Sequence, residues 1–282
     1  MSTTTSTTPA HRATPTITEH PFRAVVTRSV MDRLPLVLIV GVLMIGMGLL
    51  VGALWPSLQD TFADLEDSLP EAFTTVLGGV SMGTPVGWAN AEMISLVAPL
   101  GAIAIAVIAG TAATAGEEES KTLGVLISTP IRRRSVVLAK TVAMVVLTAL
   151  VGVFVYLGLL AGSALGDMGL TQQGMLGASV HVAAIGVLFG AVAILVGAAT
   201  GARRVTTAAS AGLALLAFAT ASFLPLSESL ADGVKASPWY YFNESVPLAN
   251  GIEWPHLLIL AGASVVLVLV SLPVFRARDL RG

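Results

Sequence analysis

The chain has 282 residues, 55% of them hydrophobic and only 11% charged, with a formal net charge of −2 and a mean hydropathy of +0.85. Soluble domains carry about 25% charged residues, so this composition excludes an ordinary soluble fold and points to a polytopic membrane protein. Cysteine is absent, which removes disulfide frameworks, thiolate metal sites and thiol nucleophiles, and a net charge so near zero gives no reason to expect a nucleic-acid partner.

Residues 1–16 are Thr-rich and almost without large apolar side chains, so they are expected to be a disordered cytoplasmic tail. No short apolar run with a small-residue cleavage site precedes Leu34, so no cleaved signal peptide is expected. Residues 17–33 interleave Phe22, Val25, Val26, Val30 and Met31 with Arg23, Arg28 and Arg33 at roughly helical spacing. That pattern predicts an amphipathic helix in the inner membrane interface; ordinary basic flanking sequence is the plainer alternative.

A membrane span needs about 20 apolar residues. Six stretches reach or approach that length: 34–55, 93–115, 136–161, 175–199, 207–224 and 257–275. The expected fold is therefore all-α, with residues 34–282 forming a six-helix transmembrane domain. Thirteen of the fifteen basic residues fall before the first span, between the second and third, between the fourth and fifth, or after the sixth; Lys140 lies just inside the third span at its basic end, and Lys235 alone falls on the other side. Basic residues mark the cytoplasmic side, so both termini are expected inside. Two long outer loops, 56–92 and 225–256, carry acids and the aromatics Trp88, Trp239, Tyr240, Tyr241 and Trp254, which suit headgroup depth.

The apolar cores of these spans contain no Asp, Glu, Lys or Arg, and His181 is their one residue that titrates near neutral pH. A secondary transporter usually needs ionisable groups or broken helices at the midplane, so that class is disfavoured. A membrane enzyme is disfavoured too, because Ser179 and His181 stand two apart and point to different helix faces. A nucleotide-binding P-loop ends in Gly-Lys, but Lys121, Lys140 and Lys235 follow Ser120, Ala139 and Val234. ATP-driven work would therefore need a separate ATPase on the cytoplasmic face. Gly48/Gly52, Gly158/Gly162, Gly186/Gly190 and Gly197/Gly201 each stand four apart, a spacing that serves helix packing within one bundle or across a dimer.

The densest charge in the chain is GEEESKTLGVLISTPIRRRSVVLAK, residues 116–140. Glu117, Glu118 and Glu119 suit the first turn of a short helix, and Leu123, Leu126, Ile127 and Pro130 give it one apolar face. Thr129-Pro130 reads as an N-cap and first position of a new helix. Arg132, Arg133 and Arg134 open that helix, the third span, and with Lys140 they fix its orientation and reach lipid headgroups. The segment is suited to docking a partner; a solvated loop obeying the positive-inside rule is the alternative.

This segment resembles the cytoplasmic loop of ABC-2 type transporter permeases, with Glu118 or Glu119, Thr122, Leu123, Leu126, Ile127, Ser128, Pro130, Arg133 or Arg134, and Lys140 at matching positions. SPWYYF and PLANG before the last span, and FRARDL at its end, resemble that family's closing pattern. The chain carries three acids at the loop start where many members have one or two. The resemblance implies a type V exporter-like fold, with an elbow helix before the first span and short helices folding back after the fifth. It implies a homo- or heterodimer of permeases carrying two cytoplasmic ABC ATPase subunits. ATP and Mg would be bound in those partners, with no cofactor in this chain. Glu117, Glu118, Glu119, Lys121, Thr122, Leu123, Leu126, Ile127 and Pro130 would form the ATPase-coupling surface. The expected function is thus a permease in a prokaryotic plasma membrane, exporting amphipathic or hydrophobic cargo and performing no chemistry itself. A membrane scaffold or sensor that borrows an ATPase for mechanical work is the alternative.

Overall fold

The computed structural model describes residues 21–66, 81–115, 133–227 and 229–277. The expected tail 1–16 and the segment 116–132 lie outside these. Among the described residues every regular element is helical: α1 Pro21–Met31, α2 Leu34–Glu66, α3 Pro85–Ala89, a π-turn Asn90–Ile94, α4 Val97–Ala113, α5 Arg133–Leu165, α6 Gln172–Thr200, α7 Arg203–Phe223, 3-10 turns at Leu224–Leu226 and Ala231–Ala236, α8 Pro238–Asn243, α9 Pro247–Asn250 and α10 Trp254–Ala277. Six of these helical segments are long and apolar enough to cross a membrane: Leu34–Gln59, Pro85–Ala113, Arg134–Leu165, Gln172–Thr200, Arg203–Leu226 and Trp254–Phe275.

The second segment starts at Pro85, where the apolar run predicts a start at 93. Thr84 caps it, its Oγ1 accepting from Gly87 N at 3.0 Å, and Pro85 is preorganised at the first helical position. The helix then runs through the polar residues Asn90 and Glu92 by opening into a π-turn, with Ser95 N donating to Asn90 O at 2.7 Å. The other segments likewise extend a few residues past their apolar runs, because backbone hydrogen bonding continues beyond the last apolar side chain. At α6, Thr171 Oγ1 accepts from Gly174 N at 3.0 Å, and Gly201 ends the helix in the left-handed region at φ 63°.

The core is built from α4 and α6, most of whose residues are buried, whereas α2, α7 and α10 stand largely exposed at its rim. In lipid, helices associate by close backbone approach at small residues. An added Cβ at Gly110 on α4 would lie 2.5 Å from Gly190 O on α6, and one at Gly186 would lie 3.0 Å from Ala102 Cβ. The same device joins α2 to α5. Added carbons at Gly48 and Gly52 would run into the carbonyls of Gly158 and Gly162, and one at Gly158 would lie 2.5 Å from Met44 O. α1 is a separate helix from α2, set off by the Asp32-Arg33 turn, and it packs chiefly on α5. The short elements after α7 fold back on the bundle. Ser237 Oγ donates to Ala217 O at 2.7 Å, burying Trp239 and Phe242 between α7, α6 and α10.

Candidate functional site

Of the residues expected to couple to an ATPase, Glu117, Glu118, Glu119, Lys121, Thr122, Leu123, Leu126, Ile127 and Pro130, together with Arg132, lie outside the described residues. What the structure does describe is how the chain enters and leaves that segment. On the near side, Thr114 and Ala115 are buried, and Thr114 Oγ1 reaches Ile194 O on α6 at 3.5 Å. On the far side, Arg133 is the first residue of α5, and Arg134 is exposed. Lys140 lies deeper, with Nζ donating to Ala112 O at 3.2 Å. This bond joins the end of α4 to the start of α5, the two helices that bracket the segment.

Within α6, buried hydroxyl and imidazole groups bond back to their own helix. Ser179 Oγ donates to Met175 O at 2.7 Å. His181 Nδ1 lies 2.9 Å from Gly177 O; a carbonyl can only accept, so Nδ1 carries the proton. The two side chains therefore do not form a nucleophile–base pair. The imidazole of His181 is close to His256 and to Glu253, and the ring of His256 packs against Tyr240 and Tyr241 at centroid distances of 5.7 and 5.4 Å. Among the described residues no three His, Asp or Glu side chains gather as a metal site would require.

A cavity lies on the bundle's flank. It is an apolar groove of about 300 Å³ between α4 and α7. Leu96, Leu100, Ile103, Ala104, Val107 and Ile108 line one wall, and Thr207, Ala211, Ala214, Leu215 and Phe218 the other. Trp239 of the folded-back segment closes one end, held edge-on to Phe218 at 5.2 Å and to Phe242 at 5.6 Å. Leu96, Leu100, Ala104 and Ile108 are the exposed stripe of an otherwise buried helix, so α4 shows the groove its one outward face. No periodicity in the sequence singles out this groove, because its two walls are some hundred residues apart in the chain.

Outside the groove, on the α2 side, Trp88 Nε1 donates to Val51 O at 2.9 Å. Trp88, expected at headgroup depth as an interfacial anchor, is instead buried against α2. Asn90 is fully buried, and Nδ2 reaches Ser95 Oγ at 3.5 Å. Glu92, which the apolar pattern places in the outer loop, is half-buried inside the second membrane-crossing segment. Lys235 is held by Asp232 at 2.9 Å; that hydrogen bond lowers the Asp232 carboxyl below its ordinary range and raises the Lys235 ammonium above its own.

Residues 26–280 match the family described as ABC-2 family transporter protein. No curated protein matches the chain. The family match covers most of the sequence, and the chain belongs to the ABC-2 transporter family, as a multi-pass membrane permease subunit of an ABC transporter.

Proposed function

We propose that this permease exports an amphipathic or hydrophobic substrate across a prokaryotic plasma membrane, driven by a separate cytoplasmic ATPase that couples to it through residues 116–135. One observation carries the reading: the bond from Lys140 Nζ to Ala112 O ties together the helices on either side of that segment. A push on the segment is then delivered to α4 and α5 as a unit. α4 is also one wall of the flank groove and the closest partner of α6 at the core. Work received at the inner face therefore reaches the groove through one rigid helix.

The partner ATPases bind ATP and Mg and supply the free energy. This chain contributes a docking face, a stiff helix pair and an apolar path. A second permease copy faces the groove side of α4 and α7, and closing and opening that seam passes the cargo outward. The experiment is co-purification. Leu123→Asp combined with Leu126→Asp removes the apolar face of the coupling segment, and the ATPase should no longer elute with the permease. An intact complex with this variant overturns the docking assignment.

A further inference from the structure

The groove between α4 and α7 has the reach of a single lipid tail. Its α7 wall runs from Thr207 to Phe218, a rise of about 16 Å along an unbroken helix. Half the hydrocarbon core of a bilayer is about 15 Å. Leu100, Ala104 and Ile108 on one wall and Ala211 and Leu215 on the other are exposed, so the groove opens along its side to the bilayer. It is closed at the Phe218 end, where Trp239 stands edge-on to that ring at 5.2 Å. Thr207, at the opposite end, is the one lining residue with a hydroxyl.

The Thr207 end leads into positive charge. Arg203 and Arg204 precede Thr207 by four and three residues in the same unbroken helix, and residues three and four apart share a helix face. Thr207, Ala211, Ala214 and Phe218 line the groove at that same spacing. Both arginines therefore continue the groove's own face, about 5–6 Å beyond Thr207 along the axis. Both are exposed, and no ion pair to either is found among the described residues. An arginine at a membrane helix end reaches headgroup depth and holds phosphate through its planar fork. Basic pockets between membrane helices are sites for anionic headgroups.

We propose that this groove is a binding site for an anionic phospholipid, with one acyl chain lying between α4 and α7 and the phosphate held by Arg203 and Arg204. An apolar slot one leaflet deep, blind at one end and basic beyond the other, matches such a lipid in length, polarity and charge. The site goes beyond the export reading, since it needs neither an ATPase nor cargo. A second copy facing this side would meet the lipid in place of bare walls.

The test uses the full chain in detergent micelles, titrated with phosphatidylglycerol or with phosphatidylcholine of the same acyl chains. Native mass spectrometry counts bound lipids and copies of the chain together. Phosphatidylglycerol should fill a saturable site, and phosphatidylcholine should bind about tenfold more weakly. Arg203→Gln/Arg204→Gln should weaken phosphatidylglycerol about thirtyfold, and Arg203→Lys/Arg204→Lys should stay within about threefold. Ala211→Trp and Ala104→Phe fill the groove from exposed positions, one on each wall, and each should abolish the site. Arg23→Gln/Arg28→Gln, on α1, should leave it unchanged. An equal loss in that control assigns binding to basic charge in general and overturns the site. Unchanged affinity in Arg203→Gln/Arg204→Gln overturns the headgroup assignment, and unchanged affinity in both filled variants places the chain elsewhere; either overturns the inference. So does equal binding of phosphatidylcholine, or no bound lipid, as when a second copy covers the groove. Loss of the ATPase from the Leu123→Asp/Leu126→Asp permease tests the export reading separately.

Discussion

Lys140 shows how one residue can answer two demands. A lysine about two turns into a membrane-entry helix is costly unless its ammonium finds a partner. Here it reaches Ala112 O, one of the last four carbonyls of α4, the group that a helix end leaves short of partners within the helix. A cation near a helix C-terminus is also favoured by the dipole. Lys140→Met should therefore cost about 1–2 kcal/mol, seen as a lower melting temperature of the purified chain, and Lys140→Arg should recover most of it. The Asp232–Lys235 pair is the contrast. Both side chains are largely exposed, so Asp232→Asn should leave the melting temperature unchanged at neutral pH. The signs are fixed by the shifts. Any contribution from Asp232, lowered in the folded state, is present above the unfolded carboxylate pKa and lost as pH falls through the folded one. That of Lys235, raised in the folded state, is present below the unfolded lysine pKa and lost as pH rises through the folded one.

At the scale of elements, the bundle depends on where glycines meet. The paired spacing of Gly48/Gly52 and Gly158/Gly162 is visible in the sequence, but which helix each pair faces is not, since small residues serve a dimer seam equally well. The structure puts these pairs against each other inside one chain. Gly162→Leu would force α2 and α5 apart and should cost about 1–3 kcal/mol or more, as overpacking does. Gly46→Ala is the matched control on α2, because an added carbon there meets nothing within 4 Å; its melting temperature should equal or slightly exceed that of the native chain. The start of the second membrane segment was legible in principle, as Thr84-Pro85 is a capping signal. It is hidden by Asn90 and Glu92, polar residues that break the apolar run. Val246 lay beyond any such reading. Its φ of 46° is unfavourable for a β-branched residue, and it stands at the start of α9, which packs against α6.

For the whole molecule, the six membrane-crossing helices follow from long apolar runs, because lipid leaves a backbone no other way to satisfy its polar groups. The flank groove was not legible, since it is assembled from α4, α7 and α8, which periodicity treats one at a time. The direction of crossing is a separate matter, and charge decides it. An anionic inner leaflet attracts each nearby Lys or Arg by about 1 kcal/mol, and fourteen of fifteen lie toward one side. The opposite orientation would strand nearly all of them, so the coupling segment should face the cytoplasm. The absence of cysteine makes this directly measurable. Ser229, exposed beyond α7, and Ala202, between α6 and α7, lie at opposite ends of α7. With a membrane-impermeant maleimide on intact cells, Ser229→Cys should label at once and Ala202→Cys only after permeabilisation. The reverse pattern would put residues 116–132 outside the cell, out of reach of any cytoplasmic ATPase, and the coupling scheme would fall with the orientation.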